Sequence, residues 1–143
     1  MKKYKTGYTQ GAFDMFHVGH LNLINRAKEQ CERLVVGVNA DALIQAYKNK
    51  TAVIPEDDRL VIVRNIKAVD EADLATTLDK VESAKRIGYD AIFIGDDWRG
   101  SPRWQKTEED LAAIGVDVVY LPYTDGVSST KLRPEADSSI KGL

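Results

Sequence analysis

The sequence predicts a single α/β domain, doubly wound around a mainly parallel five-stranded sheet, and three observations predict it. Short apolar runs of strand type alternate with segments of helical period along the chain, as crossovers between parallel strands require. The run Leu34-Val35-Val36-Gly37-Val38 is apolar without alternation, the mark of a strand buried on both faces. Finally, 143 residues with no Pro-, Gly- or Ser-rich linker and no internal repeat suit one domain with a real core.

Taken in order, a first strand is expected at Lys5–Ala12 and a helix over Val18–Gln30, with Leu21, Leu23, Ile24 and Ala27 on its apolar face and Cys31 at its end. The second strand is expected at Arg33–Asn39. A polar loop, Ala46–Ile54, leads to Pro55-Glu56-Asp57-Asp58, whose proline and acidic first turn open a helix running to Ile66 with Leu60, Ile62, Val63 and Ile66 inward. A short extended piece at Ala68–Ala72 is the third strand, and the helix Leu78–Ile87 stops at Gly88. Asp90–Ile94 is the fourth strand, Trp104–Ile114 a helix closed by Gly115, and Val116–Leu121 the fifth strand. The catalytic unit is expected over residues 1–133, with a tail over 134–143 that frays after a short helix. Right-handed crossovers make this a Rossmann-like arrangement, whose ligands bind beyond the carboxyl ends of the strands. Residues 11–20, 95–103 and 122–131 lie at such ends.

Composition narrows the function. A formal net charge of −2 provides no basic field for nucleic acid or an anionic membrane. No apolar run reaches the roughly 18 residues of a membrane span, and the N-terminus lacks a signal-peptide core, so a cytoplasmic protein is expected. One cysteine, Cys31, cannot form an internal disulfide and reads as packing.

Both histidines of the chain, His17 and His20, fall three apart where the first loop turns into a helix, which places them on one face. A helix N-terminus offers backbone N–H groups and partial positive charge to an anion. Gly11 and Gly19 permit close approach. Imidazole donors there suit phosphate oxygens whose charge grows as a phosphate–phosphate bond breaks. Two half-buried histidines beside a turn fit the spacing too, whereas a structural zinc wants more ligands. Asp14 fits the orienting of a loop amide, a lysine or Mg²⁺.

The whole string Gly11-Ala12-Phe13-Asp14-Met15-Phe16-His17-Val18-Gly19-His20 resembles the G-x-F-D-x-x-H-x-G-H signature of the cytidylyltransferases, with every fixed position present. The likeness runs over Tyr8–Arg133 and is to the glycerol-3-phosphate type in that family. It implies a nucleotidyltransferase using CTP, with Mg²⁺ held mainly by the triphosphate, and a phosphorylated small-molecule acceptor. It implies a homodimer making a CDP-activated polyol for teichoic-acid or capsule assembly, while the charge and hydropathy above argue against nucleic-acid or membrane partners. By resemblance His17, His20, Lys48 and Lys50 are catalytic. Gly11, Ala12, Phe13, Asp14, Gly19, Asp41, Asp96, Thr124, Ser128, Ser129 and Thr130 face the nucleotide. Lys50, Arg59, Lys67, Asp97, Trp98 and Tyr123 face the acceptor.

Each of these segments also has an ordinary structural reading. The lysines fit a solvated basic loop, Trp98 in Gly95-Asp96-Asp97-Trp98 fits a packing anchor, and Ser128-Ser129-Thr130 fits an N-cap. The sequence departs from the family at two places, with Lys67 for an arginine and Tyr123 opening a segment that resembles R-T-E-G-I-S-T-T. A phenol supplies neither fixed charge nor a bidentate fork. Other acceptors (another polyol phosphate, phosphocholine, phosphoethanolamine or a phosphonate), ATP as donor, or a non-catalytic nucleotide sensor remain as alternatives.

Overall fold

The computed structural model describes residues 2–96 and 99–122. Its elements are β1 Tyr4–Gly11, α1 Val18–Glu29, β2 Cys31–Asn39, α2 Asp41–Lys48, α3 Glu56–Arg64, β3 Glu71–Ala75, α4 Lys80–Ile87, β4 Ala91–Gly95, α5 Pro102–Ala112 and β5 Asp117–Leu121. The five strands are all parallel in the order β3-β2-β1-β4-β5. The chain therefore builds outward from β1 to β3, then crosses back to lay β4 on the other edge of β1. That reversal opens a crevice beyond the carboxyl ends of β1 and β4, where such sheets receive ligands.

Burial explains the unalternating run in β2. Leu34, Val36 and Val38 pack with Ile24 and Ala27 of α1 and Val63 of α3 on one face. Val35 packs on the other face with Ala84 of α4 and Trp104 and Leu111 of α5. Gly37 also belongs to that second face. A Cβ there would lie 2.1 Å from the Tyr8 hydroxyl, so the missing side chain is what lets Tyr8 lie across β2 and stack on Tyr89 at 4.7 Å. The Tyr8 hydroxyl donates to Gln10 Oε1, and Gln10 Nε2 donates to Asn39 Oδ1 and Thr77 O. These bonds tie together the carboxyl ends of β1 and β2 and the approach to α4.

Local chemistry sets the helix limits. Asp79 accepts from the amides of Val81 and Glu82 to start α4, and Gly88 ends it with φ 80°. Ser101 caps α5 ahead of Pro102, and Gly115 turns away with φ 81°.

Four expectations are corrected. The stretch before residue 49 is not all loop, because Asp41–Lys48 forms α2, a helix of eight residues whose one buried residue is Ile44. Cys31 does not end a helix but opens β2, fully buried. The third strand lies at Glu71–Ala75 rather than Ala68–Ala72, since Asp70 first exchanges its backbone N–H and side chain with Leu34. Ile62 faces outward, 41% exposed, because only one stripe of α3 meets the sheet. No helix among the described residues is long and apolar enough to cross a membrane. The expected helix in the tail lies outside the described residues.

Candidate active site

The segment after β1 builds its own helix start from the two histidines. His17 is the N-cap of α1, and its Nδ1 accepts from the Gly19 amide at 3.0 Å. His20, at the third helical position, accepts the His17 amide on its own Nδ1 at 3.2 Å. With the His20 amide also directed to the His17 side chain, the pair forms a capping box made of imidazoles. The rings stack with centroids 3.9 Å apart, and Phe13 and Phe16 stand against His20 at 5.5 and 5.1 Å. Burial pushes the His17 ring below its ordinary pKa. For His20, burial first and the neighbouring His17 second bring it to about 4, with Asp14 opposing. The Gly19 and His20 amides at the start of α1, expected to meet an anion directly, are thus turned to the His17 side chain. His17 Nε2 is buried and has no hydrogen-bond partner among the described residues.

Asp14 is buried, and it orients loop amides. Its two carboxylate oxygens accept from Val53 and Ile54 at 2.8 and 2.9 Å. Those residues end the loop that carries Lys50 and follows Lys48, the last residue of α2. Phe13 and Met15, on either side of Asp14, adopt φ of 52° and 50°, a costly conformation for side-chain-bearing residues that clusters at functional turns. Lys48, at the end of α2, and Lys50, on that loop, are both exposed.

Arg59, expected at the acceptor, is a buried tie. Its side chain is fully covered. Nε donates to Ile54 O at 2.8 Å, Nη1 to Ala12 O at 2.8 Å and Asn39 O at 2.7 Å, and Nη2 to Asp41 Oδ1 at 2.5 Å. Every arm of the guanidinium is spent on the protein, so it offers none to a ligand. Asp41, expected at the nucleotide, faces Arg59 and also accepts from the Glu56 amide at 3.3 Å. Lys67 is misplaced for the acceptor. It stands on the turn between α3 and β3, at the amino edge of the strands, because α3 runs back against them.

The structure therefore gathers Gly11, Ala12, Phe13, Asp14, His17, Gly19 and His20 with the base of the lysine loop. Asp96 ends β4 on the same side of the sheet, exposed, its carbonyl accepting from Arg99 at 3.1 Å. Asp97, Trp98, Tyr123, Thr124, Ser128, Ser129 and Thr130 lie outside the described residues. A loop amide was one of the partners the sequence offered Asp14, and the structure supplies two, those of Val53 and Ile54; which amides they are leaves no signal in residue type. Sequence reading missed Asn39 and Gln10. The spacing of apolar residues in β1 and β2 gave the only hint of them, by placing both at strand ends. A cavity of about 210 Å³ on the second face, lined by Tyr8, Arg33, Gly37, Asp73 and Arg86 among others, holds none of these histidines or lysines.

Comparison with known proteins agrees with this geometry. Residues 8–135 match a family model described as cytidylyltransferase-like. The chain is 32% identical to a glycerol-3-phosphate cytidylyltransferase of Bacillus spizizenii, over 91% of this chain and 95% of that protein. It is 36% identical to an FAD synthase of Thermococcus kodakarensis, over 79% of this chain and 76% of the other. In fold it is similar to a lipopolysaccharide core biosynthesis protein of Thermoplasma volcanium, with a TM-score of 0.71 at 23% identity over 85% of this chain and 97% of that one.

Proposed function

The chain belongs to the cytidylyltransferase-like family, and we propose that this nucleotidyltransferase passes the cytidylyl group of CTP to glycerol 3-phosphate, giving CDP-glycerol and pyrophosphate. The observation that carries the proposal is the buried, unpartnered Nε2 of His17 beside a second imidazole at 3.9 Å. A buried donor with no acceptor costs about 1–3 kcal/mol, which an anionic oxygen arriving at the site recovers.

In the reaction, a phosphate oxygen of the acceptor attacks the α-phosphorus in line. The bond to the bridging oxygen breaks, and pyrophosphate leaves with the electron pair. The attacking oxygen is already anionic, so no covalent enzyme intermediate is needed. His17 and His20 donate to the oxygens on which charge grows, a contribution of about 3–4 kcal/mol for one preorganised donor. Lys48 and Lys50 neutralise phosphate charge and bring the two anions together. Mg²⁺ enters with the triphosphate as part of the substrate. Among the described residues no group of three or more His, Cys, Asp and Glu could hold a metal ion, and Asp14 has its carboxylate on two amides.

The test is pyrophosphate release from CTP and glycerol 3-phosphate by the purified chain. No release with that acceptor or with any of a panel of polyol phosphates, phosphocholine, phosphoethanolamine and phosphonates overturns the reading. Likeness to FAD synthase at 36% identity favours a second reading, transfer of an adenylyl group from ATP to a flavin phosphate. Parallel assays with CTP and ATP separate the two. A homodimer is part of the proposal, and light scattering on the eluted protein checks it.

A further inference from the structure

We infer that the backbone amides of His17 and Gly19 are positioning groups that lock both imidazoles as neutral Nε2–H donors, so that neither ring serves as a proton carrier around neutral pH. A backbone N–H can only donate. The Gly19 amide faces Nδ1 of His17 at 3.0 Å and the His17 amide faces Nδ1 of His20 at 3.2 Å. Both Nδ1 atoms must therefore be bare, and a neutral imidazole bare at Nδ1 carries its hydrogen on Nε2. To become charged, either ring would have to set a second N–H against an amide N–H and give up a bond of the capping box.

The surroundings reinforce the lock. The rings lie face to face at 3.9 Å, so a charge on one opposes a charge on the other. Charged side chains tied to this segment, or carried on the loop held against it, include Asp14, Asp41, Arg59, Lys48 and Lys50. Asp14 and Asp41 favour a charged ring, but Asp14 is committed to the Val53 and Ile54 amides and Asp41 to Arg59. Burial opposes a charge on both histidines.

The arrangement acts as a relay. The positive end of α1 reaches each Nδ1 through an amide and leaves the hydrogen on the far nitrogen, which in His17 is buried without a partner. Resting on the reaction proposed above, this gives transition-state stabilisation by hydrogen bonds that do not titrate, in a transfer that needs no proton moved by the enzyme.

The chain has only two histidines, so the full-length protein labelled with ¹⁵N-histidine gives two rings in a long-range ¹H–¹⁵N correlation spectrum. Both are expected as the Nε2–H tautomer, unchanged from pH 8 to pH 5. An Nδ1–H tautomer or an imidazolium at either ring in that range overturns the inference. Gly19→Pro, which removes the amide at the second helical position, is expected to free His17 to titrate nearer its ordinary value. Gly19→Ala keeps the amide and is expected to keep the lock. If Gly19→Pro does not fold, the wild-type spectrum alone decides. The spectrum is taken without substrate, so a negative turnover assay refutes the proposed reaction and leaves the lock standing, while a titrating ring in an active enzyme does the reverse.

Discussion

His17 holds two positions with one ring, the cap of α1 through Nδ1 and a buried donor through Nε2. His17→Ala is expected to lower kcat about 10²- to 10³-fold, as for loss of one preorganised donor, and to cost about 1 kcal/mol of stability from the lost cap. His17→Asn separates the two, since asparagine caps well but has no nitrogen at the Nε2 position. Its melting temperature should return to wild type while kcat stays low. Arg59 makes a contrasting case. Arg59→Met strands the carbonyls of Ala12, Asn39 and Ile54 while Asp41 keeps access to water, and should destabilise the protein by about 1–3 kcal/mol, read by urea unfolding. The histidines were legible in the sequence because the whole string Gly11 to His20, and not their spacing alone, marks them; the spacing also fits the N-cap and third helical position they take. Arg59 was legible as a residue and not as a role, because what decides it is the set of carbonyls around it, contributed by three separate segments.

At the scale of elements, the loop that carries Lys50 has no packed core of its own and is held to the histidine segment at its end, by Asp14 on the amides of Val53 and Ile54 and by Arg59 on Ile54 O. Asp14→Asn turns one acceptor into a donor against an amide. It should speed hydrogen exchange at Val53 and Ile54 and raise KM for the triphosphate about tenfold, with the core amides of β2 unchanged. Protection that stays intact at residues 53 and 54 would sink this account of the loop. The run Leu34 to Val38 and the stops at Gly88 and Gly115 announced strands and helix ends correctly, because burial on two faces and positive φ select residue type strongly. The short helix α2 does end on a residue of positive φ, Asn49, but it is only eight residues long and buries only Ile44, so the stretch read as loop. Lys67 looked like part of the site from its place in the family pattern, but the direction of α3 carries it to the far edge of the sheet.

For the whole molecule, the depressed His20 makes stability depend on pH. Its folded value of about 4 lies below the ordinary 6.5, so the unfolded chain binds more protons between them, and stability is lost as pH falls from 6.5 through 4. After discounting for partial exposure of the ring, the loss is about 2 kcal/mol. Thermal unfolding should show it in the wild type, and His20→Gln should remove that share of the slope. The sheet order β3-β2-β1-β4-β5 has a consequence for the chain as it is made. β1 meets β2 soon after it emerges, but its other neighbour, β4, starts at Ala91. At about 5–20 residues per second, one edge of the central strand waits seconds on the ribosome with its hydrogen-bonding groups open to any other strand. A nascent chain halted in α4 is therefore expected to be the aggregating species in the life of this protein, and one that already carries both histidines and both lysines of the lysine loop.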